Sequence, residues 1–203
     1  MYTKNSRYSI PDADRKFLKK VINSFRILKS KEQIFYDMCF CLMTPQTTYK
    51  SNCIAISNII SSGFYCNTLS LKQVDSLIWT TRFHKVKANR LLLAKSQFNQ
   101  IYDLIRSERP WVEVREWLCK NVNGFGMKTS SHFLRNLGAI ELAIIDTHII
   151  KYMLWDPPKN SKDYLEKEKE FALESHKRKM TPAELDSFIW KIYSQTPWEE
   201  FVY

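Results

Sequence analysis

The 203 residues predict an all-α protein of roughly ten helices. Apolar residues recur at helical spacing in nearly every segment, and no stretch alternates apolar with polar residues as a half-buried strand would. The few glycines and prolines fall between the periodic segments, where helices must stop and turn. From Asp14 to Leu28, one helical face carries Phe17, Leu18, Val21, Ile22 and Phe25. Ser30 is placed to cap the next helix, Glu32 to Met43, which ends before Pro45 because the residue preceding a proline is pushed out of the helical region. A third helix, Thr47 to Ser62, closes at Gly63. Leu71 to Trp79, Lys85 to Arg106 and Trp111 to Leu118 follow, the last of them behind Pro110. Met127 to Leu137 stops at Gly138, and Asp146 to Trp155 ends in Asp156-Pro157-Pro158. Lys162 to Lys177 and Pro182 to Tyr193 complete the set, with Thr181 as N-cap and Pro182 at the first helical position. The run Glu166-Lys167-Glu168-Lys169-Glu170 reads as a solvated helix face supported by i,i+4 pairs.

Composition narrows the function. A hydrophobic fraction of 44% and many aromatics mark a chain that packs a core, in one domain or two small lobes. No apolar run approaches the roughly 20 residues that a membrane span needs, and the start of the chain lacks the apolar core of a signal peptide, so a cytosolic or nucleoid protein is expected. A formal net charge of +10 favours a polyanionic partner, most simply nucleic acid, through phosphate contacts and counterion release. The five cysteines, Cys39, Cys41, Cys53, Cys66 and Cys119, are odd in number and form no C-x-x-C pair. They argue against a disulfide framework, a zinc site and an iron–sulfur cluster.

The most informative segment is Asn121-Val122-Asn123-Gly124-Phe125-Gly126-Met127-Lys128-Thr129, which holds two of the chain's four glycines. An apolar helix runs into the glycines and another runs out, so the pattern is helix, tight hairpin, helix. Backbone N–H groups at the second helix's start are free to bind an anion. A lysine at that start opposes the helix dipole, a small cost that suggests a use for Lys128. Further on, Ile144-Ile145-Asp146 opens a fresh helix. Taken alone, Asp146 reads as an N-cap and Lys128 as a phosphate contact. Taken together, an amine and a carboxylate converging at two helix N-termini read as a nucleophile–carboxylate pair.

Gly124-Phe125-Gly126-Met127-Lys128 followed by Asp146 resembles the helix-hairpin-helix DNA glycosylases. The continuation Thr129-Ser130-Ser131-His132-Phe133-Leu134-Arg135-Asn136 resembles one branch, the archaeal and thermophile-type 8-oxoguanine DNA glycosylase/lyases. Phe40-Cys41-Leu42-Met43-Thr44-Pro45-Gln46 and Arg82-Phe83-His84-Lys85-Val86-Lys87-Ala88 fit the same branch, so the similarity covers about residues 35 to 190. The resemblance implies two helical subdomains with the active-site cleft between them, an inner one near 40–125 and a catalytic one from 1–39 plus 126–203. It also implies a partner, double-stranded DNA carrying an oxidised base, and a monomer suffices. Lys128 would form a Schiff base with C1′ of a flipped nucleoside, and the neutral amine it needs is favoured by a helix N-terminus and partial burial. Asp146 would stabilise the developing oxocarbenium charge and assist proton transfer, and the resemblance implies no metal or organic cofactor.

Phe83 and Trp190 match the positions at which the family sandwiches the purine, with core packing as the alternative for each. In the family the chain end contributes to base recognition, usually finishing in a lysine. Here the tail is longer and ends in tyrosine, making Tyr203 the corresponding candidate. Gln46 resembles the position that probes the gap left by the flipped nucleotide. Lys85, Lys87, Arg90 and Arg135 are candidate phosphate contacts or ordinary surface charges. His132, one turn beyond Lys128, is a core histidine or a group that positions Asp146 or a phosphate. Two other readings stay open: a glycosylase for oxidised pyrimidines, as in the endonuclease III group, and a non-catalytic DNA-binding module.

Overall fold

The computed structural model describes residues 10–194, and every regular element among them is a helix. In chain order these are α1 (Asp12–Phe25), α2 (Lys31–Met43), α3 (Tyr49–Ser61), α4 (Leu71–Leu77), α5 (His84–Ser96), α6 (Phe98–Ile105), α7 (Trp111–Asn121), α8 (Met127–Arg135), α9 (Thr147–Met153), α10 (Ser161–Lys177) and α11 (Pro182–Ser194). None of the described helices is long and apolar enough to cross a membrane.

The helix starts follow from their caps. Ser30 accepts from the Gln33 N–H while the Gln33 side chain accepts from the Ser30 N–H, a reciprocal box that satisfies two otherwise orphaned donors. Thr181 and Glu184 repeat the arrangement ahead of α11, with Pro182 at the first helical position. The single long helix expected over Lys85 to Arg106 is two, because it is interrupted at Gln97, whose ψ of −2° departs from the helical value. Leu91, Ala94, Phe98, Ile101 and Ile105 stay buried across that interruption. Apolar periodicity reports which face is buried and is blind to an interruption that leaves the stripe intact.

Two hydrophobic clusters organise the molecule. The first gathers α2 to α8, with the Phe35 ring held against Phe64 at 5.6 Å and Phe98 at 5.0 Å. Burying such a ring contributes roughly 1.5–3 kcal/mol. The second gathers α1, α9, α10 and α11 around Val21, Phe25, Ile149, Phe171 and Phe188. The clusters do not divide at single points of the chain. The apolar residues of α2 from Ile34 onward belong to the first cluster, and so do Phe133 and Leu134 of α8. Met127, at the other end of α8, packs against the second cluster. The apolar faces of α8 thus serve both cores, and its first turn lies along the seam.

Candidate active site

A cleft of about 670 Å³ opens along that seam, within the range of small-ligand pockets. Its walls are Phe40, the turn and helix start from Thr44 to Asn52, one face of α8, the start of α9 and the inner face of α11. The hairpin ahead of α8 explains why Lys128 points there. Gly124 has φ +97°, and a Cβ would lie 2.8 Å from Arg90 Cδ and 3.1 Å from Leu42 Cδ2, so glycine is required both for the turn and for close packing. Gly126 is the N-cap residue of α8 in extended conformation, with nothing within 4 Å of where a Cβ would stand. Its backbone and the first N–H groups of α8 are open to an approaching anion. Phe125 anchors the hairpin, packing edge-on against Phe133 at 5.6 Å.

Lys128, His132 and Arg135 follow at helical spacing and all line the cleft. Arg135 is buried at its end, donating to Asp186 Oδ2 at 2.6 Å with its guanidinium 4.8 Å from the Phe25 ring centroid. It is a paired interior cation at the cleft wall and not an ordinary surface charge. Burial raises the Asp186 carboxyl to about 7 against the opposing pull of Arg135, with the Asp146 charge adding to the rise. His132 lies edge-on to Phe40 at 6.1 Å. Burial, then the Arg135 and Lys128 charges, hold its pKa well below the usual imidazole value, so it is a packed neutral ring at neutral pH.

Asp146 caps α9. Its Oδ1 accepts from the His148 N–H at 2.8 Å and the Ile149 N–H at 3.0 Å, and the side chain also lines the cleft with Lys128. One carboxylate therefore both caps α9 and lines the cleft. The segment leading into it is clamped from α10. The Tyr164 hydroxyl accepts from the Ile145 N–H and donates to the Ala143 carbonyl, each at 3.0 Å, and Glu168 Oε1 accepts from the Ala143 N–H at 3.1 Å.

Trp190 of α11 lines the cleft and meets Tyr49 of α3 edge-on at 5.4 Å, so an aromatic pair spans its two walls. Gln46 lies exposed at the cleft with φ 54°, a left-handed conformation that costs a side-chain-bearing residue roughly 1–2 kcal/mol. Phe83 is outside the cleft lining. It caps α5 at φ 58°, is 53% exposed, and stacks with the Arg82 guanidinium at 4.9 Å. Lys85 is exposed on the first turn of α5, and Arg90 packs over Gly124. Lys87 is interior, 2% exposed, and donates to three oxygens of the 43–47 segment, so it is not an ordinary surface charge. Tyr203 lies outside the described residues.

Tyr49, Asp186 and His148 line the cleft without having been singled out from the sequence. Asp186 was findable: it sits one helical turn before Trp190, so a helix that brings one residue to the cleft brings the other. Nothing local marks Tyr49.

The hairpin, the lysine on its second helix and the acid opposite place the chain in the helix-hairpin-helix class. The profile of the 8-oxoguanine DNA glycosylase family matches residues 18–180. The 8-oxoguanine DNA glycosylase/AP lyase of Methanocaldococcus jannaschii is 32% identical over 182 residues, covering 84% of this chain and 86% of that protein. The protein of the same name from Thermoplasma acidophilum is 32% identical over 205 residues, covering 95% and 97%. The crystal structure of the M. jannaschii enzyme in complex with a 15mer DNA containing 8-oxoguanine superposes with a TM-score of 0.81 at 29% identity, over 90% of this chain and 91% of that one. This chain belongs to the 8-oxoguanine DNA glycosylase family.

Proposed function

We propose that the protein excises 8-oxoguanine from double-stranded DNA and then cleaves the strand at the resulting site, acting as a monomer. The observation that carries this reading is the shared cleft: Lys128 and Asp146 enter it from two helix N-termini beside an open-faced glycine hairpin. The hairpin N–H groups and a net charge of +10 suit the DNA backbone. A base cannot be attacked within the stack, so the lesion nucleotide is extruded into the cleft at a cost of a few kcal/mol. Stacking on Trp190 offsets part of that cost.

The free amine of Lys128 forms a bond to C1′ as the C1′–N9 bond breaks. The base leaves with the bonding pair and takes up a proton. Opening of the sugar ring yields an imine between Nζ and C1′, and loss of a C2′ proton then expels the 3′ phosphate. Asp146 stabilises the positive charge that develops on the sugar, and neutral His132 adds no competing cation.

Borohydride reduction tests the chemistry. Protein mixed with a duplex containing 8-oxoguanine gives a covalent adduct on reduction, and Lys128→Gln gives none while still binding the duplex. An adduct that survives Lys128→Gln rejects the assignment of the nucleophile. Faster trapping on thymine glycol than on 8-oxoguanine rejects the substrate.

A further inference from the structure

We propose that Lys87 is a positioning residue, a buried tether that holds the cleft wall from Thr44 to Tyr49, and Gln46 in particular, in its working shape. The inference rests on the excision reading above and goes beyond it, because Lys87 does not itself line the cleft. The Lys87 ammonium donates to the Met43 carbonyl at 2.6 Å, the Pro45 carbonyl at 2.8 Å and the Thr47 hydroxyl at 2.6 Å. All three donors of one ammonium are spent on five consecutive residues. Met43 ends α2, so the first bond also satisfies a terminal carbonyl that has no helical partner.

What the tether holds is a tight turn. The Thr47 N–H donates to the Thr44 carbonyl at 3.1 Å, Pro45 and Gln46 are the two residues between, and Gln46 is left-handed at φ 54°. A strained residue persists only where its surroundings over-determine it, and Lys87 grips the turn on both sides of Gln46. The same segment then supplies Thr48, which caps α3, and Tyr49, which meets Trp190 across the cleft. An ordinary surface lysine does not explain this placement. Lys87 falls on the buried stripe of α5, four residues before Leu91 and seven before Ala94.

The tether is also titratable. Burial, and then the charge of Arg90 further along α5, bring the Lys87 pKa down to about 8. The turn presents only a proline, a glutamine and threonines, and the end of α2 only a methionine carbonyl, so neither side adds a titratable group. Above that pH the amine keeps two donors for three acceptors and the grip loosens.

Single-turnover excision from an 8-oxoguanine duplex, with melting and duplex affinity measured alongside, provides the test. Lys87→Met is expected to slow excision by about tenfold or more at neutral pH, as small misplacements of a site do, with duplex affinity changed by less than about threefold. The ratio of wild-type to variant rate narrows above about pH 8, whereas Lys87→Arg, which stays charged, retains most of the neutral rate. Gln46→Ala slows excision too, and Lys87→Met combined with Gln46→Ala is no slower than the worse single change. Wild-type excision by Lys87→Met, losses that multiply in the double variant, or a pH-independent ratio would each overturn the proposal. Should Lys87→Met fail to fold, Thr47→Val removes one acceptor only. A loss of a few-fold then supports the tether, and an unchanged rate rejects it. A wild-type protein that excises nothing counts against the excision reading instead.

Discussion

The Asp146 carboxylate does two jobs, and substitution can separate them. Asparagine caps helices as well as aspartate does, so Asp146→Asn keeps the acceptor for the His148 and Ile149 N–H groups. Its negative charge is lost. Asp146→Asn is therefore expected to melt within a few degrees of wild type and to excise the base about 100-fold slower or worse. Asp146→Ala loses the cap as well and costs about 1 kcal/mol of stability. Melting curves beside single-turnover excision check both expectations, and Asp146→Asn working at the wild-type rate would leave the residue a cap and nothing more. Lys128 and Asp146 were legible because each sits in a local pattern, a glycine hairpin and a helix start. Lys87 and Arg135 read as candidate phosphate contacts or ordinary surface charges because charge was weighed before helical face, and the structure buries and pairs both. Lys87 shares a stripe with Leu91 and Ala94, and Arg135 shares one with Lys128, so periodicity alone placed the first inside and the second in the cleft.

Among elements, the hairpin carries the sharpest expectation because its two glycines serve different ends. Gly124 must adopt φ +97° with Arg90 and Leu42 against it, whereas Gly126 has an ordinary φ of −97° and open space. Gly124→Ala should destabilise the fold by roughly 1–2 kcal/mol from backbone strain alone. Gly126→Ala should melt close to wild type and, if the proposed phosphate contact at this open helix start holds, lose duplex affinity. Thermal melts paired with binding titrations distinguish the two, and the reverse pattern would contradict the hairpin's assignment. Helix caps such as Ser30, Thr181 and Asp146 were readable because each cap is a contact over two or three residues. The interruption at Gln97 and the Tyr49–Trp190 pair were not, since both depend on how distant segments pack.

At the scale of the whole molecule, the cleft exists only while two cores keep their relation, and a buried ion pair ties them. Arg115 of α7 is 2% exposed and donates to Glu168 Oε1 of α10 at 2.5 Å and to Ser131 Oγ of α8 at 3.1 Å. The same Glu168 oxygen holds the Ala143 N–H on the approach to Asp146. Glu168 lies within the charged run that reads, from sequence alone, as a solvated helix face, so one residue of that run faces inward. A buried pair adds little over a well-packed apolar substitute, but removing one partner strands the other charge and costs about 3–5 kcal/mol. For a chain of this length each kcal/mol shifts the melting temperature by roughly 2–4 °C, so Glu168→Ala should melt about 6–20 °C lower. Replacing both partners, Arg115→Met with Glu168→Leu, strands no charge and should recover much of that loss. Excision by this double variant should stay slow at temperatures where it is fully folded, because the Ala143 N–H has lost its acceptor and Asp146 its support. Melting of Glu168→Ala within about 2 °C of wild type would show that the pair ties nothing, and full excision by the folded double variant would show that α10 does not position Asp146.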